Sequence, residues 1–104
     1  LGRRAKASTA ALSYRLSDPD RNVRIMCLLA LRKMGPGEGC VDMLLRSLKD
    51  PEKLVRYWSA RVLGEMGVLA RDARTSLFHS LIDDQDAVRK AANDALGKIN
   101  RSLS

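Results

Sequence analysis

The stretch DPEKLVRYWSARVLGEMG, Asp50 to Gly67, decides the fold because the chain contains it three times in variant form. DPDRNVRIMCLLALRKMG runs from Asp18 to Gly35 and DDQDAVRKAANDALGKIN from Asp83 to Asn100, at offsets of 32 and 33 residues. Equivalent places hold Asp18, Asp50 and Asp83; Val23, Val55 and Val88; Arg24, Arg56 and Arg89; Leu31, Leu63 and Leu96; Met34, Met66 and Ile99. Small residues recur at Cys27, Ser59 and Ala92, and small or β-branched ones at Ala30, Val62 and Ala95. A period in this range is the signature of a stacked repeat architecture.

Within each segment the recurring positions step by four, three, one and three residues, as in Val55, Ser59, Val62, Leu63 and Met66, which places them on one face of a helix. Asp18-Pro19 and Asp50-Pro51 predict an N-cap followed by a first-turn proline, and Gly35, reinforced by Pro36, and Gly67 predict the stops. A second apolar pattern precedes each segment: Leu12 and Leu16; Val41, Leu44, Leu45 and Leu48; Leu77, Phe78 and Leu81. The unit is therefore a helix A, an Asp-containing turn and a helix B, expected at about 3–17/18–35, 39–49/50–67 and 71–82/83–100. No stretch shows the alternation of a strand. One such pair cannot bury both of its apolar sides, so the pairs must stack on a shared core. The fold class expected is all-α, a right-handed α-solenoid of three helix pairs forming an alpha-alpha superhelix, with the B helices on the concave side. It fills residues 1–104 as one domain, with repeats at about 3–35, 37–67 and 70–101.

Composition agrees with that reading. A chain of 104 residues with 45% hydrophobic and 30% charged residues describes one soluble, folded domain. The formal charge of +7 favours acidic partners without identifying one. The longest apolar run, Ile25 to Leu31, is far short of the roughly 20 residues that cross a bilayer, so no membrane partner is expected. The start, Leu-Gly-Arg-Arg-Ala-Lys, has neither an initiator Met nor the apolar core of a secretory signal. A segment of a longer intracellular protein, cytoplasmic or nuclear, is expected, with neighbouring repeats of the same protein beside it. Two cysteines are too few for a disulfide framework, and reduced thiols are expected.

A turn aspartate, Val-Arg five and six residues later, small residues, Ala/Val-Leu and Met/Ile-Gly resemble the HEAT repeat, in particular the variety of phycobilin-lyase-like proteins. The resemblance covers residues 3 to 101 and implies that Asp18, Asp50, Asp83, Arg24, Arg56 and Arg89 form a structural ladder between adjacent repeats. Six residues turn about 600° around a helix, so an arginine does not stand over its own aspartate and the neighbouring repeat is the more natural target. The pattern is broken at Asn100, where the other repeats have glycine, and the alanine-rich, polar third helix B reads as a capping end.

The same resemblance brings in enzymes, whose chemistry the residues do not support. Deoxyhypusine hydroxylase, similar in fold, holds iron through several His-Glu pairs, whereas His79 is the single histidine and is followed by Ser80. His79 aligns with Tyr14 and Arg46 and reads as solvent-facing. Cys27 and Cys40 stand in the slots of Ser59 and Ala92, and of Ser8 and Ala73, and read as small packing residues without a closed zinc set. Asp83, Asp84 and Asp86 lack the glycine and terminal glutamate of a calcium loop. Gly35-Pro36-Gly37-Glu38-Gly39 has no Gly-Lys-Ser/Thr ending and reads as a connector. No catalytic residue, metal or cofactor is expected, and the chain reads as a non-enzyme; a bilin-lyase-like role is the alternative that the resemblance keeps open.

A binding role rests on the flank of helix B that the core pattern leaves out. It carries Ile25, Met26, Leu29, Arg32 and Lys33; Tyr57, Trp58, Arg61 and Glu65; Lys90, Ala91, Asp94 and Lys98. Tyr57, Trp58 and Arg61 fall on adjacent turns and are the residue types that concentrate interface energy. With Met26, Leu29 and Arg32 beside them they form the candidate surface for a protein or peptide partner, an acidic one being favoured by the charge of +7. The competing reading is packing: Trp58 covering an inter-repeat seam, and Ile25 and Met26 facing a preceding repeat. Nucleic acid is the second class of partner, through Arg32, Lys33, Arg61, Lys90 and Lys98 or the basic run Arg3, Arg4, Lys6 and Arg15.

Overall fold

The carboxylate of Asp20 accepts the Asn22 N–H at 2.8 Å and opens α1 (Arg21–Met34) in the computed structural model, which describes residues 11–104. Gly35 closes that helix in the left-handed region, φ 72°, its N–H reaching the Leu31 and Arg32 carbonyls. A 3-10 turn (Glu38–Cys40) leads into α2 (Val41–Ser47), and α3 (Lys53–Met66) follows a tight turn. A 3-10 stretch (Gly67–Ala73), α4 (Arg74–His79), a second 3-10 turn (Ser80–Ile82) and α5 (Asp86–Ser102) complete the chain. Residues 11–15 are also helical, and no strand occurs among the described residues. The expected helix at 3–17 falls partly outside them.

Two layers result. Residues 11–15, α2 and α4 hold the A positions, and α1, α3 and α5 the B positions, α3 packing on both α1 and α5. The arrangement is an α-solenoid, 34 × 33 × 18 Å across three pairs. Its core runs through all of them: Leu12, Leu28, Leu31, Leu44, Val55, Leu63, Leu77, Ala92 and Ile99 belong to one buried cluster.

The A helices are shorter than the periodicity predicts. The expected helix at 71–82 is broken into a short α segment between 3-10 turns, and Ala70, φ −104° and ψ 21°, kinks its approach. Ser80 also donates to the Ser76 carbonyl at 3.2 Å, a local bond that competes with regular helix. Phe78, expected in the core, is 67% exposed, and Met34 is 53% exposed while its counterparts Met66 and Ile99 are buried. Asn100 does not stop its helix; α5 continues to Ser102. A polar outer side is expected of a capping pair, and the exposed Phe78 departs from it.

The Asp-Pro pairs also do something other than capping. The N-caps are Asp20 and Glu52, two residues later, while Asp18, Asp50 and Asp83 each accept the backbone N–H two residues on, at 2.8–2.9 Å. They thereby fold the turn between helices A and B, with the proline inside it. Arginine binds the same turns. Nη1 of Arg24 donates to the carbonyls of Asp18 and Pro19 in its own turn, while Nε and Nη2 form a fork on Asp50 of the next, at 2.9 and 3.1 Å. Arg56 repeats this with the Asp50 and Pro51 carbonyls and a fork on Asp83 at 2.8 and 3.2 Å, adding Asp84 at 3.1 Å. Arg89 donates to the Asp83 carbonyl at 2.6 Å and to Asp86.

The forked side chains are between 11% and 14% exposed, so little water screens them. Burial works against ionisation of Asp83, but the bonds from Arg56 and the Gln85 N–H outweigh it and hold the carboxyl below its ordinary value. A folded-state value below the unfolded one contributes stability above the ordinary carboxylate range and loses it as pH falls.

The α3–α5 seam has a different basis. A Cβ on Gly64 would stand 2.8 Å from the Ala95 Cα, so only glycine lets the two helices approach this closely. Gly64→Ala is expected to cost about 1–3 kcal/mol by forcing them apart, measured as a shift in urea midpoint. Asp83→Asn is expected to cost about 3 kcal/mol at neutral pH. It should also flatten the decline that the parent shows below about pH 4, read from urea titrations at pH 7 and pH 3.

Candidate functional site

Trp58 projects from α3 with two guanidiniums over its ring. Arg61, one turn along the same helix, lies 5.4 Å from the ring centroid, and Arg32, from α1, lies 5.5 Å from it. Tyr57 meets Trp58 edge to face, with centroids 5.1 Å apart and planes at 80°. Its hydroxyl accepts a 2.7 Å hydrogen bond from Arg61 Nη1, whose guanidinium lies 5.7 Å from the Tyr57 ring. Arg32 Nε donates to both oxygens of Glu65 at 3.1 and 2.9 Å, and Arg61 Nη2 stands 3.9 Å from the same carboxylate. The result is a platform of two rings and two cations around one carboxylate, shared between two repeats. Each cation–ring contact at a partly exposed site contributes about 0.5–1 kcal/mol.

Both rings are half-buried and pack on the core, so Trp58 lies at the α1–α3 seam without being fully enclosed. Tyr57, Trp58 and Arg61, grouped by their spacing, meet as described. Arg32 joins them across the seam. Glu65, which its sequence position places on the same flank, is the anion that meets both arginines. Its position one turn beyond Arg61 was the available signal.

Met26 and Leu29 stand one repeat back, in the slots that Trp58 and Arg61 occupy. Met26 is 65% exposed and Leu29 half-buried. Ala91, expected on the exposed flank, is buried, because its slot leans towards the preceding helix.

The wider basic stripe is partly neutralised. Lys90 Nζ lies 3.2 Å from Asp86, while Arg32 and Arg61 share Glu65. Arg3, Arg4 and Lys6 lie outside the described residues; Arg15 is exposed.

Among the other candidates, His79 is exposed on a cleft of about 300 Å³ lined also by Lys49, Thr75, Ser76 and Ser80. Asp83 borders that cleft but is held by Arg56. Among the described residues no group of three or more His, Cys, Asp or Glu side chains could hold a metal ion, and no helix is long and apolar enough to cross a membrane. Cys27 and Cys40 are buried thiols. Cys27 donates to the Leu12 carbonyl at 3.1 Å, tying residues 11–15 to α1. Burial pushes its thiol up to about 11, opposed by Arg15 and reinforced by Cys40.

A layered array of helical hairpins, stapled at each turn by an arginine, defines a class of repeat protein built to present a surface. The family model for HEAT repeats matches residues 4–101. The chain belongs to the HEAT-repeat family, whose members are typically non-enzymatic scaffolds for protein interactions. The match is to HEAT repeats in general and names no variety of them. No curated protein matches the sequence.

The Cys27 thiol is expected to resist a disulfide reagent at pH 8 until the chain opens, since both burial and protonation oppose attack. Labelling followed by peptide mass mapping across a urea series checks this; modification of Cys27 in the folded chain at the rate of a free thiol would contradict it.

Proposed function

We propose that this chain is a non-enzymatic interaction module whose helix-B surface binds a protein or peptide partner, with Trp58 as anchor. The supporting observation is the seating of Trp58: a large ring, half-buried, held at the junction of two repeats by Arg32 and Arg61. Two pairs must stack before this platform exists, so it is a property of the array and not of one helix. An anchor already fixed by its neighbours loses little side-chain freedom on binding, which favours affinity. Tyr57, Arg61 and Arg32 surround it, and Leu29 and Met26 extend the surface along α1.

Two guanidiniums around one carboxylate leave a net positive platform, which fits an acidic segment better than a basic one. Neutralisation of the basic stripe by Glu65 and Asp86 weighs against nucleic acid, whose binding requires cations free to replace counterions.

Substitution tests the reading. Trp58→Ala is expected to lower partner affinity by about 30-fold or more. It should also cost about 2 kcal/mol of stability, since the ring packs on the core. Arg61→Glu tests the charge of the platform: it should weaken binding about tenfold or more, while its two lost ring contacts cost about 1–2 kcal/mol of stability and leave the domain folded at the assay temperature. Affinity capture from the source cells with parent and variants, followed by titration of the recovered partner, measures both. Undiminished binding by Arg61→Glu would overturn the proposal, as would recovery only of nucleic acid with a steep salt dependence.

A further inference from the structure

Consecutive A helices leave a cleft beside the ladder aspartate, and the two clefts differ. The earlier one, of about 130 Å³ next to Asp50, has Met43, Arg46 and Ser47 on its α2 wall. The later one, of about 300 Å³ next to Asp83, has Ser76, His79 and Ser80 in the same slots, at the offset of 33 residues. Met43 is 4% exposed and belongs to the core, whereas Ser76 is half-buried and brings no apolar side chain to its place. A local break in an otherwise consistent pattern marks a functional or strained site. Here it opens room inside the array, between α2 and α4.

The lining turns polar where the room opens. Thr75 and His79 stand four residues apart, as do Ser76 and Ser80, so the four share one side of α4 and the turn that follows it. Lys49, where the preceding repeat has Ser17, borders the cleft from the end of α2. Among the described residues no side chain pairs with Lys49 or His79, and the hydroxyls of Thr75 and Ser76 make no hydrogen bond. Ser80 directs its proton to the Ser76 carbonyl. The carboxylate on the wall, Asp83, takes the fork of Arg56 and the Gln85 N–H, so its charge is already met. An ammonium, an imidazole and two hydroxyl donors thus line one cleft.

We infer that this cleft binds the phosphoryl group of a small, soluble phosphate monoester, with Lys49 as the charge and Thr75, Ser76 and His79 as hydrogen-bond donors. A phosphoryl group turns three acceptor oxygens to different sides, which donors from two repeats can meet, and an ammonium binds phosphate as a point charge. A carboxylate fits less well. Its planar pair of oxygens matches a guanidinium fork, and Arg56, beside this wall, is committed to Asp83 and Asp84. The volume of about 300 Å³ is at the lower end of small-molecule pockets, roughly 300–1,000 Å³. The site belongs to the A layer and does not depend on Trp58 binding anything.

The test is an NMR titration of the isotope-labelled full chain with methyl phosphate, from about 0.1 to about 20 mM, against sodium chloride at matched ionic strength. Saturating shifts confined to the amides around Lys49, Thr75, Ser76 and His79 are expected, with a Kd of about 1 mM or below. Lys49→Gln should weaken binding about tenfold. Ser76→Met, which installs the preceding repeat's residue, should abolish the shifts without lowering the urea midpoint, as expected when packing replaces a site. Lys49 is exposed, so its variant tests the site whether or not Ser76→Met folds. Shifts that never saturate or that chloride reproduces would overturn the inference. So would parental affinity in Lys49→Gln or in folded Ser76→Met, or binding to vesicles containing phosphatidic acid without binding to methyl phosphate.

Discussion

Asp50 and Asp83 each meet three demands, two through the carboxylate and one through the backbone carbonyl. The carboxylate accepts the N–H two residues on, which shapes its own turn, and takes the fork of the preceding repeat's arginine, while the carbonyl is held by the arginine of its own helix B. The turn between helices A and B and the register between repeats therefore depend on the same few atoms. A bidentate guanidinium–carboxylate pair tolerates little rotation, so it sets an angle as well as a distance. Stacking depth, and with it the placement of Trp58 over the seam between α1 and α3, is built on that spacing.

Much of the fold was legible because the information is periodic. Three copies of one amphipathic pattern reveal the helices, their order and their shared core, and a covalent period converts directly into a structural one. What the pattern missed are features in which one repeat departs from the others. Gly64 reads as an ordinary helix glycine until its approach to Ala95 is seen. Phe78 sits in an apolar slot, but whether such a slot is covered depends on a following neighbour and not on the residue. Asp-Pro was misread as a cap because aspartate bonds local N–H groups in turns as readily as at helix starts; the two uses differ only in whether helical geometry begins at once.

The candidate site was legible in part. Tyr57, Trp58 and Arg61 are close in sequence, so helix geometry alone groups them. Arg32 and Glu65 come from different repeats, and their pairing follows only when the offset between repeats is combined with which face of each helix meets the other. Met26 illustrates the limit: a large apolar residue outside the core pattern suggests a ligand surface, whereas the same slot is half-buried at Trp58 and buried at Ala91, so it is a packing slot in the later repeats.

The two seams between B helices are unlike. Between α3 and α5 backbone nearly touches backbone through Gly64 and Ala95, leaving no compressible side chain in the gap. Between α1 and α3 lie a tryptophan and two long arginines, whose torsions can yield without breaking a contact. Compliance is therefore uneven along the array: α3 and α5 move as one stiff block, while bending is taken up at the joint where the aromatic platform sits.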